Sequence, residues 1–139
     1  MKRNSGKCAA MVLGLLTLVG CAGPQSLVTI ESGVGETVVD MKAGNFKFVP
    51  NNIKAYRGVI VFRIENISDT EHNFTLKDPQ GHVLQDVDIP PRGTITVKAQ
   101  LFQPGVYTFY CDEAFHSTLG MKGSIEVVGG QGEKGPGEK

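Results

Sequence analysis

Three residues with metal-binding side chains recur at even spacing near the end of the chain. In the stretch YTFYCDEAFHSTLGMKGSIEVV, four residues separate Cys111 from His116, and four more separate His116 from Met121. A thiolate, an imidazole and a thioether together favour a soft or borderline metal, and copper above all. Zinc is chemically possible, but the affinity order favours copper and a thioether serves zinc poorly. The spacing therefore predicts a copper site that needs a fourth ligand from elsewhere in the chain.

The fourth ligand is expected to be a histidine, and two candidates remain. His72 lies in TEHNFTL, at the start of a strand-like run, whereas His82 lies in PQGHV, inside a turn signal. The end of a strand can hold an imidazole ring rigidly, while a hairpin turn is usually solvated. The pattern therefore favours His72 over His82.

The cysteine count supports a role for Cys111. The chain has three cysteines, and the other two, Cys8 and Cys21, lie in the first 21 residues. If those residues form an export signal, Cys111 is a single thiol in an oxidising compartment, with no disulfide partner in its own chain. It must then be free, reactive or a metal ligand.

The N-terminus has the features of a bacterial export signal. Lys2, Arg3 and Lys7 precede an uncharged apolar stretch over residues 8–19, which is too short to span a bilayer comfortably. The stretch ends in LVGC, which resembles the lipobox at which a signal is cut and the cysteine receives a lipid. We therefore predict a lipoprotein signal peptide over residues 1–20, a lipidated Cys21 and an exported protein anchored to a bacterial membrane. An ordinary signal peptide or an uncleaved anchor is the alternative.

Charge limits the kinds of partner. The whole chain has a formal charge of zero, and removal of residues 1–20 leaves 11 basic against 14 acidic residues, a charge of −3. No basic patch is evident, so a nucleic-acid partner is not expected. Membrane contact would come from the lipid rather than from an amphipathic helix.

Composition divides the rest of the chain into three parts. Residues 21–36 comprise the lipidated cysteine and a linker rich in glycine, which is expected to be a flexible coil. Residues 129–139 contain only Gly, Gln, Glu, Lys and Pro, and such a tail is expected to be disordered. The domain proper is expected to span residues 37–128.

Hydrophobic residues in this domain alternate with a period of two. The run VIVFRIEN places Ile60, Phe62 and Ile64 on one face, and GVYTFYC places Phe109 and Cys111 on one side. Gly, Pro, Asn and Asp separate the runs, and no run shows convincing helical spacing. Seven to eight short strands in about 92 residues predict an all-β fold, an antiparallel Greek-key β-sandwich.

Several motifs resemble those of the cupredoxins, the small blue copper proteins of the plastocyanin, azurin and auracyanin kind. The similar stretches are FKFVPNNIKAYRGVIVFRIEN, HNFTL, GVYTFYC and CDEAFHSTLGMKGSIEVV, and the resemblance as a whole extends over about residues 38–128. One departure is Ala114-Phe115, where many relatives have Pro-Gly before the second histidine. The loop also lacks the second cysteine that a binuclear copper centre needs.

The resemblance implies one type 1 copper ion and a ligand set for it. His72, Cys111 and His116 would form a trigonal plane with Met121 as a weak axial ligand. The backbone N–H of Asn73 would donate to the ligand sulfur. The implied function is transfer of single electrons between redox proteins, such as a cytochrome and an oxidase or reductase, by a monomer that is not itself an enzyme.

The resemblance also implies a docking surface around the second histidine. Phe115 and Leu119 flank His116, and an exposed apolar patch suits brief contact with a redox partner. Pro90 and Pro91 are candidates for its rim. Asp112 and Glu113 could steer a basic partner or simply keep the loop soluble.

Three other functions are compatible with parts of the sequence. A copper carrier would use the same ligands but exchange the metal readily, although the chain lacks Met- and His-rich tracts. A metal-free structural sandwich would leave the ligand spacing unexplained. An enzyme with Cys111 as nucleophile and His116 as base would need an oxyanion hole, for which no motif is present.

Overall fold

A computed structural model describes residues 27–30 and 36–129, and within them the chain is all β. No helix in this part of the protein is long and apolar enough to cross a membrane. The ten strands are β1 Leu27–Ile30, β2 Glu36–Gly44, β3 Lys47–Val49, β4 Asn52–Tyr56, β5 Gly58–Asn66, β6 His72–Lys77, β7 Val83–Ile89, β8 Thr94–Leu101, β9 Gly105–Tyr110 and β10 Lys122–Val128.

The strands form two sheets, which confirms the predicted all-β sandwich. Sheet A has six strands in the order β1-β4-β10-β9-β6-β7, and sheet B has four in the order β3-β2-β5-β8. Two details of the prediction were wrong. Nine strands, rather than seven or eight, occupy the predicted domain, and the pairs β1–β4, β4–β10 and β2–β5 are parallel.

The strand count was too low because β7, Val83–Ile89, was missed. Of its seven residues only Ile89 is buried, so it lacks the alternating apolar face that identifies the other strands.

Pro50 separates β3 from β4, as the sequence suggested. Proline has no N–H to donate to a ladder, so pairing stops there. The chain crosses at this point from sheet B, where β3 lies, to sheet A, where β4 lies.

The period-2 pattern determines which residues form the core. Along β5, Ile60, Phe62 and Ile64 are buried, whereas the intervening Arg63 and Glu65 are exposed. Since successive side chains of a strand point to opposite faces, this alternation turns the apolar face of sheet B towards sheet A.

Four phenylalanines join the two sheets at the centre of the core. The ring of Phe74, on β6 of sheet A, lies 5.4 Å from that of Phe62 and 5.9 Å from that of Phe48, both of sheet B. Phe109 lies 5.5 Å from both Phe48 and Phe74. These centroid distances fall in the range of favourable aromatic pairs. The cluster therefore fixes β6 and β9 relative to each other and to sheet B.

Strand β1 occupies part of the segment that composition suggested was a flexible linker. It pairs with β4 from Leu27↔Asn52 to Ile30↔Ala55. Four residues of the expected coil are therefore part of sheet A. The predictions for residues 1–20, for Cys21 and for residues 130–139 concern parts of the chain outside the described residues.

Strand β10 passes so close to its neighbours that one position requires glycine. A Cβ atom on Gly123 would lie 2.3 Å from the Asn51 carbonyl oxygen and 2.3 Å from Cζ of Phe109. The same Asn51 oxygen accepts the Ser124 N–H at 2.9 Å, so it cannot move away without loss of that hydrogen bond. Glycine here permits the approach of β10 to both neighbouring strands.

We expect Gly123→Ala to lower the free energy of unfolding by about 3 kcal/mol, the upper end of the usual range for overpacking. Urea denaturation of the metal-free protein measures this. The exposed Glu126→Ala on the same strand serves as the control and should change the midpoint little. Equal midpoints for the two variants would contradict the close approach.

Candidate metal centre

Three strands of sheet A bring the predicted ligands to one end of the sandwich. Strand β9 runs towards that end and leads into Cys111, and β10 starts there, directly after Met121. Strand β6 is antiparallel to β9, with Thr75 opposite Tyr110, so that its first residue, His72, lies at the same end. The directions of these strands thus explain why candidate ligands that are far apart in the sequence lie at the same end of the sheet.

Backbone hydrogen bonds close the loop between β9 and β10. The Cys111 N–H donates to the Met121 carbonyl at 3.0 Å, and the Met121 N–H donates to the His116 carbonyl at 2.9 Å. Within the loop, the His116 N–H donates to the Glu113 carbonyl at 3.0 Å. Main-chain hydrogen bonds therefore fix the backbone positions of Cys111, His116 and Met121.

The side chains of His72, Cys111 and His116 converge on a common point. His116 Nδ1 lies 3.4 Å from Cys111 Sγ and 3.2 Å from His72 Nδ1, and the His72 Nδ1 to Sγ distance is 4.0 Å. All three candidate donor atoms lie within 4.8 Å of one another. Cys111 and His72 are buried, whereas His116 is partly exposed.

The other two candidate ligands differ in their placement. Met121 is fully buried at the base of the loop, and its backbone is hydrogen-bonded to the backbones of Cys111 and His116. His82 is exposed in the turn after β6, where its Nδ1 lies 2.9 Å from Asp78 Oδ2. Among the described residues, the histidines that approach Cys111 are His72 and His116.

The sulfur of Cys111 receives a hydrogen bond from the neighbouring strand. The Asn73 N–H donates to Sγ at 3.3 Å, which is the contact that the sequence resemblance implied. The Asn73 side chain is also buried, and its amide donates to Asp86 Oδ1 at 2.7 Å, while its carbonyl oxygen accepts the Thr75 hydroxyl at 2.6 Å. These bonds hold the backbone of Asn73 in place beside the sulfur.

The remote nitrogen of His72 contacts a serine that the sequence analysis missed. Ser68 Oγ lies 2.9 Å from His72 Nε2 and 2.8 Å from Asn66 Oδ1. The hydroxyl has two carbonyl-type acceptors in reach, Asn66 Oδ1 and the Thr70 carbonyl at 3.1 Å, and a proton given to either leaves the Ser68 oxygen to accept the Nε2–H of His72. This tautomer leaves His72 Nδ1 without a proton, on the side that faces Cys111.

Asn66, at the end of β5, anchors this serine to sheet B. Its buried side chain accepts from the Ser68 N–H at 2.9 Å and donates to the carbonyls of Thr70, Ile89 and Pro90 at 2.8–3.1 Å. The loop before His72 is thus tied to β5 and to the end of β7. The only sequence signal for this arrangement was the Asn-x-Ser stretch four residues before His72.

Electrostatics favour a neutral imidazole in the buried part of the site. Burial lowers the pKa of His72 from its usual value, and the neighbouring His116 lowers it further. Burial raises the pKa of the Cys111 thiol, although the Asn73 N–H opposes this shift. A neutral histidine can bind a metal at once, whereas the thiol must first lose its proton.

The ring of His116 contacts a residue from the turn between two strands of the other sheet. The Phe46 ring, in the turn between β2 and β3, meets the His116 ring edge-on, with 5.1 Å between centroids. Phe115 and Leu119, the predicted docking residues, are exposed on either side of His116 in the sequence. Phe46 escaped the sequence analysis because its contact with His116 depends on the packing of the two sheets.

The donor set fits a single copper ion. Two imidazole nitrogens and one sulfur converge, a buried methionine closes the loop, and a backbone N–H contacts the sulfur. Thiolate and imidazole suit both copper and zinc, but two histidines and a cysteine with a methionine beside them are the ligand set of blue copper sites.

Comparisons with known proteins agree with this geometry. A family model described as a cupredoxin-like domain matches residues 10–127. The plastocyanin of Dryopteris crassirhizoma is 30% identical over 97 residues, which are 62% of this chain and 92% of that protein.

Solved structures share the fold at lower identity. Dithionite-reduced auracyanin from Roseiflexus castenholzii superposes with a TM-score of 0.59 at 18% identity, over 66% of this chain and 97% of auracyanin. The metal-binding domain of the Cu(I)-exporting P-type ATPase CopA of Streptococcus pneumoniae superposes with a TM-score of 0.58 at 15% identity. The match covers 76% of this chain and 99% of that domain. The family match spans most of the described residues, and the chain therefore belongs to the cupredoxin-like family.

Proposed function

We propose that this protein is an electron carrier that transfers single electrons between redox proteins through one type 1 copper site. The observation that carries the proposal is the convergence of His72, Cys111 and His116 from strand ends fixed in one sheet. Copper, when bound, supplies a one-electron couple whose two oxidation states prefer different geometries. The chain's own contribution is to hold the donors in one arrangement that suits both.

The hydrogen bonds around the ligands support a rigid site. Two hydrogen bonds fix Cys111: its N–H donates to the Met121 carbonyl, and its sulfur accepts the Asn73 N–H. His72 is fixed by Ser68, which is itself held by Asn66. Ligands that move little on electron transfer need little reorganisation, which is what a fast carrier requires.

Burial of the donors favours an electron carrier over a copper-delivery protein. Cys111 and Met121 are fully buried and His72 is 2% exposed, so within the described part of the chain His116 is the candidate ligand that a competing ligand could reach. The fold does not distinguish these roles, since a domain of a copper exporter shares it. An enzymatic role would require a place for substrate next to the metal, and four protein ligands leave none.

We propose that redox partners dock on the apolar surface around His116. Phe115 is 77% exposed and Leu119 is 60% exposed, and both belong to the ligand loop. Large exposed apolar side chains next to a partly exposed ligand suit brief contacts in which an electron passes through the imidazole. The exposed Asp112, in the same loop, would favour a basic partner such as a cytochrome.

We also propose that the protein is exported and anchored through a lipid on Cys21. Strand β1 starts at Leu27, level with Ser124 and so towards the end of sheet A that holds the metal centre. Six peptide units between Cys21 and Leu27 span at most about 20 Å. The anchor would therefore keep the copper end of the domain near the membrane surface.

The first test is the visible spectrum of the protein with copper(II). We expect an intense thiolate-to-copper charge-transfer band that bleaches with a reductant and returns with an oxidant. Cys111→Ser should abolish the band, because it removes the thiolate. His82→Ala should leave it intact, because His82 lies in an exposed turn beside Asp78.

Two results would argue against the proposal. A colourless protein that binds copper(I) tightly and releases it to a competitor would indicate a carrier of copper. Loss of the band in His82→Ala would show that the upstream ligand is not His72.

A second prediction concerns Ser68. Ser68→Ala should weaken copper binding by about tenfold, since partners of ligating histidines usually contribute that much or more. Competition with a copper chelator measures the affinity. Ser68→Thr retains the hydroxyl and should restore binding, while equal affinities for Ala and wild type would exclude a role for the hydroxyl.

The lipid anchor predicts a difference between two cysteine variants. Cys21→Ala should move the protein out of the membrane fraction or leave its signal uncleaved, because it removes the thiol at the predicted cleavage site that would be acylated. Cys8→Ala lies within the same predicted signal and should leave membrane attachment unchanged. Fractionation with mass spectrometry of the N-terminal peptide measures both, and equal behaviour of the two variants would exclude Cys21 as the attachment point.

A further inference from the structure

The turn between β2 and β3 has a backbone that does not suit its sequence. Gly44 pairs with Lys47, so only Asn45 and Phe46 form the loop. Both have positive φ, 51° for Asn45 and 56° for Phe46. Two-residue hairpin loops with positive φ at both positions are type I′ turns, for which Asn-Gly is strongly preferred. Asn45 meets this preference, but Phe46 stands where glycine would be unstrained.

A bulky residue in the left-handed region is an outlier that points to function. Its Cβ crowds the backbone, and such strain persists only where the surrounding structure enforces it. The hairpin itself does not require the ring, because Phe46 is 45% exposed and is not part of the core cluster.

The contact that the Phe46 ring makes is with a metal ligand. It lies edge-on to His116, at 5.1 Å between centroids and 75° between planes. The Phe46 carbonyl lies 4.0 Å from where a Cβ on Gly120 would be, so the turn also approaches the end of the ligand loop. The turn of sheet B therefore rests against the loop of sheet A at the one ligand that reaches solvent.

We propose that Phe46 is a positioning residue that shields His116, and that the strained turn is retained for this purpose. The ring covers one side of the imidazole and restricts the approach of water and small solutes to it. The edge-on contact also limits rotation of the imidazole. As far as it concerns copper, this inference rests on the proposed function, whereas the shielding of His116 is a property of the metal-free protein as well.

Phe115 shows that a phenylalanine with positive φ does not necessarily pack against His116. It has φ of 68°, but its side chain is 77% exposed, and the aromatic contacts of His116 among the described residues are with Phe46 and His72. Phe46 is therefore the residue to test.

The test is Phe46→Gly in metal-free protein produced from the full-length chain. Diethyl pyrocarbonate modifies accessible imidazoles, and mass spectrometry of the peptides gives the rate at each histidine. We expect the rate at His116, relative to the exposed His82 of the same molecule, to rise several-fold. The midpoint of urea denaturation should stay the same or rise, because the Asn-Gly turn is unstrained.

Phe102→Gly is the matched control. Phe102 is 56% exposed, similar to Phe46, but it is not among the residues with positive φ. This variant should lower the urea midpoint and leave the ratio of His116 to His82 modification unchanged. If Phe46→Gly leaves that ratio unchanged, or lowers the midpoint as much as Phe102→Gly does, the inference is wrong.

A third measurement separates this inference from the proposed function. In copper-loaded protein, Phe46→Gly should speed the capture of copper(I) by an excess of bathocuproine disulfonate several-fold, and Phe102→Gly should not. A wild-type protein that binds no copper would overturn the proposed function, while the modification ratio in metal-free protein would still decide the role of Phe46.

Discussion

The hydrogen bond from the Cys111 N–H to the Met121 carbonyl is the constraint on which the metal centre depends. It continues the ladder between β9 and β10 by one step beyond the last paired residues, Tyr110 and Lys122. The loop between Cys111 and Met121 is thereby closed at its base, and its interior places His116 over the sulfur. The register of the hairpin thus determines the position of the ligands, and the close approach at Gly123 stabilises that register.

His72, the fourth candidate ligand, belongs to the same sheet, but side-chain hydrogen bonds rather than main-chain ones hold its ring. His72 begins β6, the neighbour of β9, and its Nε2 contacts the Ser68 hydroxyl, which donates to Asn66 or to the Thr70 carbonyl. None of the four candidate ligands lies in sheet B. Sheet B contributes Asn66, which anchors the loop before His72, and Phe46, which contacts His116. The centre is thus built on one sheet and supported by the other.

The sequence revealed those parts of the site that depend on spacing within one element. Cys111, His116 and Met121 share a loop between two strands, and His72 starts a strand, so their residue types and positions sufficed to select them. Ser68 and Phe46 could not be selected in this way. Their roles come from contacts with residues 4 and 70 positions away, and such contacts exist only after the loop and the two sheets have packed.

The fold was predictable for a similar reason, with a similar limit. Period-2 alternation identifies strands and their buried faces, as β5 shows with Ile60, Phe62 and Ile64. It does not identify partners or directions. The parallel pairing of β4 with β10 joins segments about 70 residues apart, and β3 and β4, which are separated by Pro50 and Asn51, lie in different sheets.

The pairing of β1 with β4 has a practical consequence for the choice of fragment boundaries. Strand β4 has β10 on one side and β1 on the other, so both of its hydrogen-bonding edges are occupied. A recombinant fragment that starts at Glu36 would lack β1 and leave one edge of β4 open. Open edges of this kind recruit strands from other molecules and promote aggregation. Fragments intended for crystallisation or spectroscopy are therefore best started before Leu27.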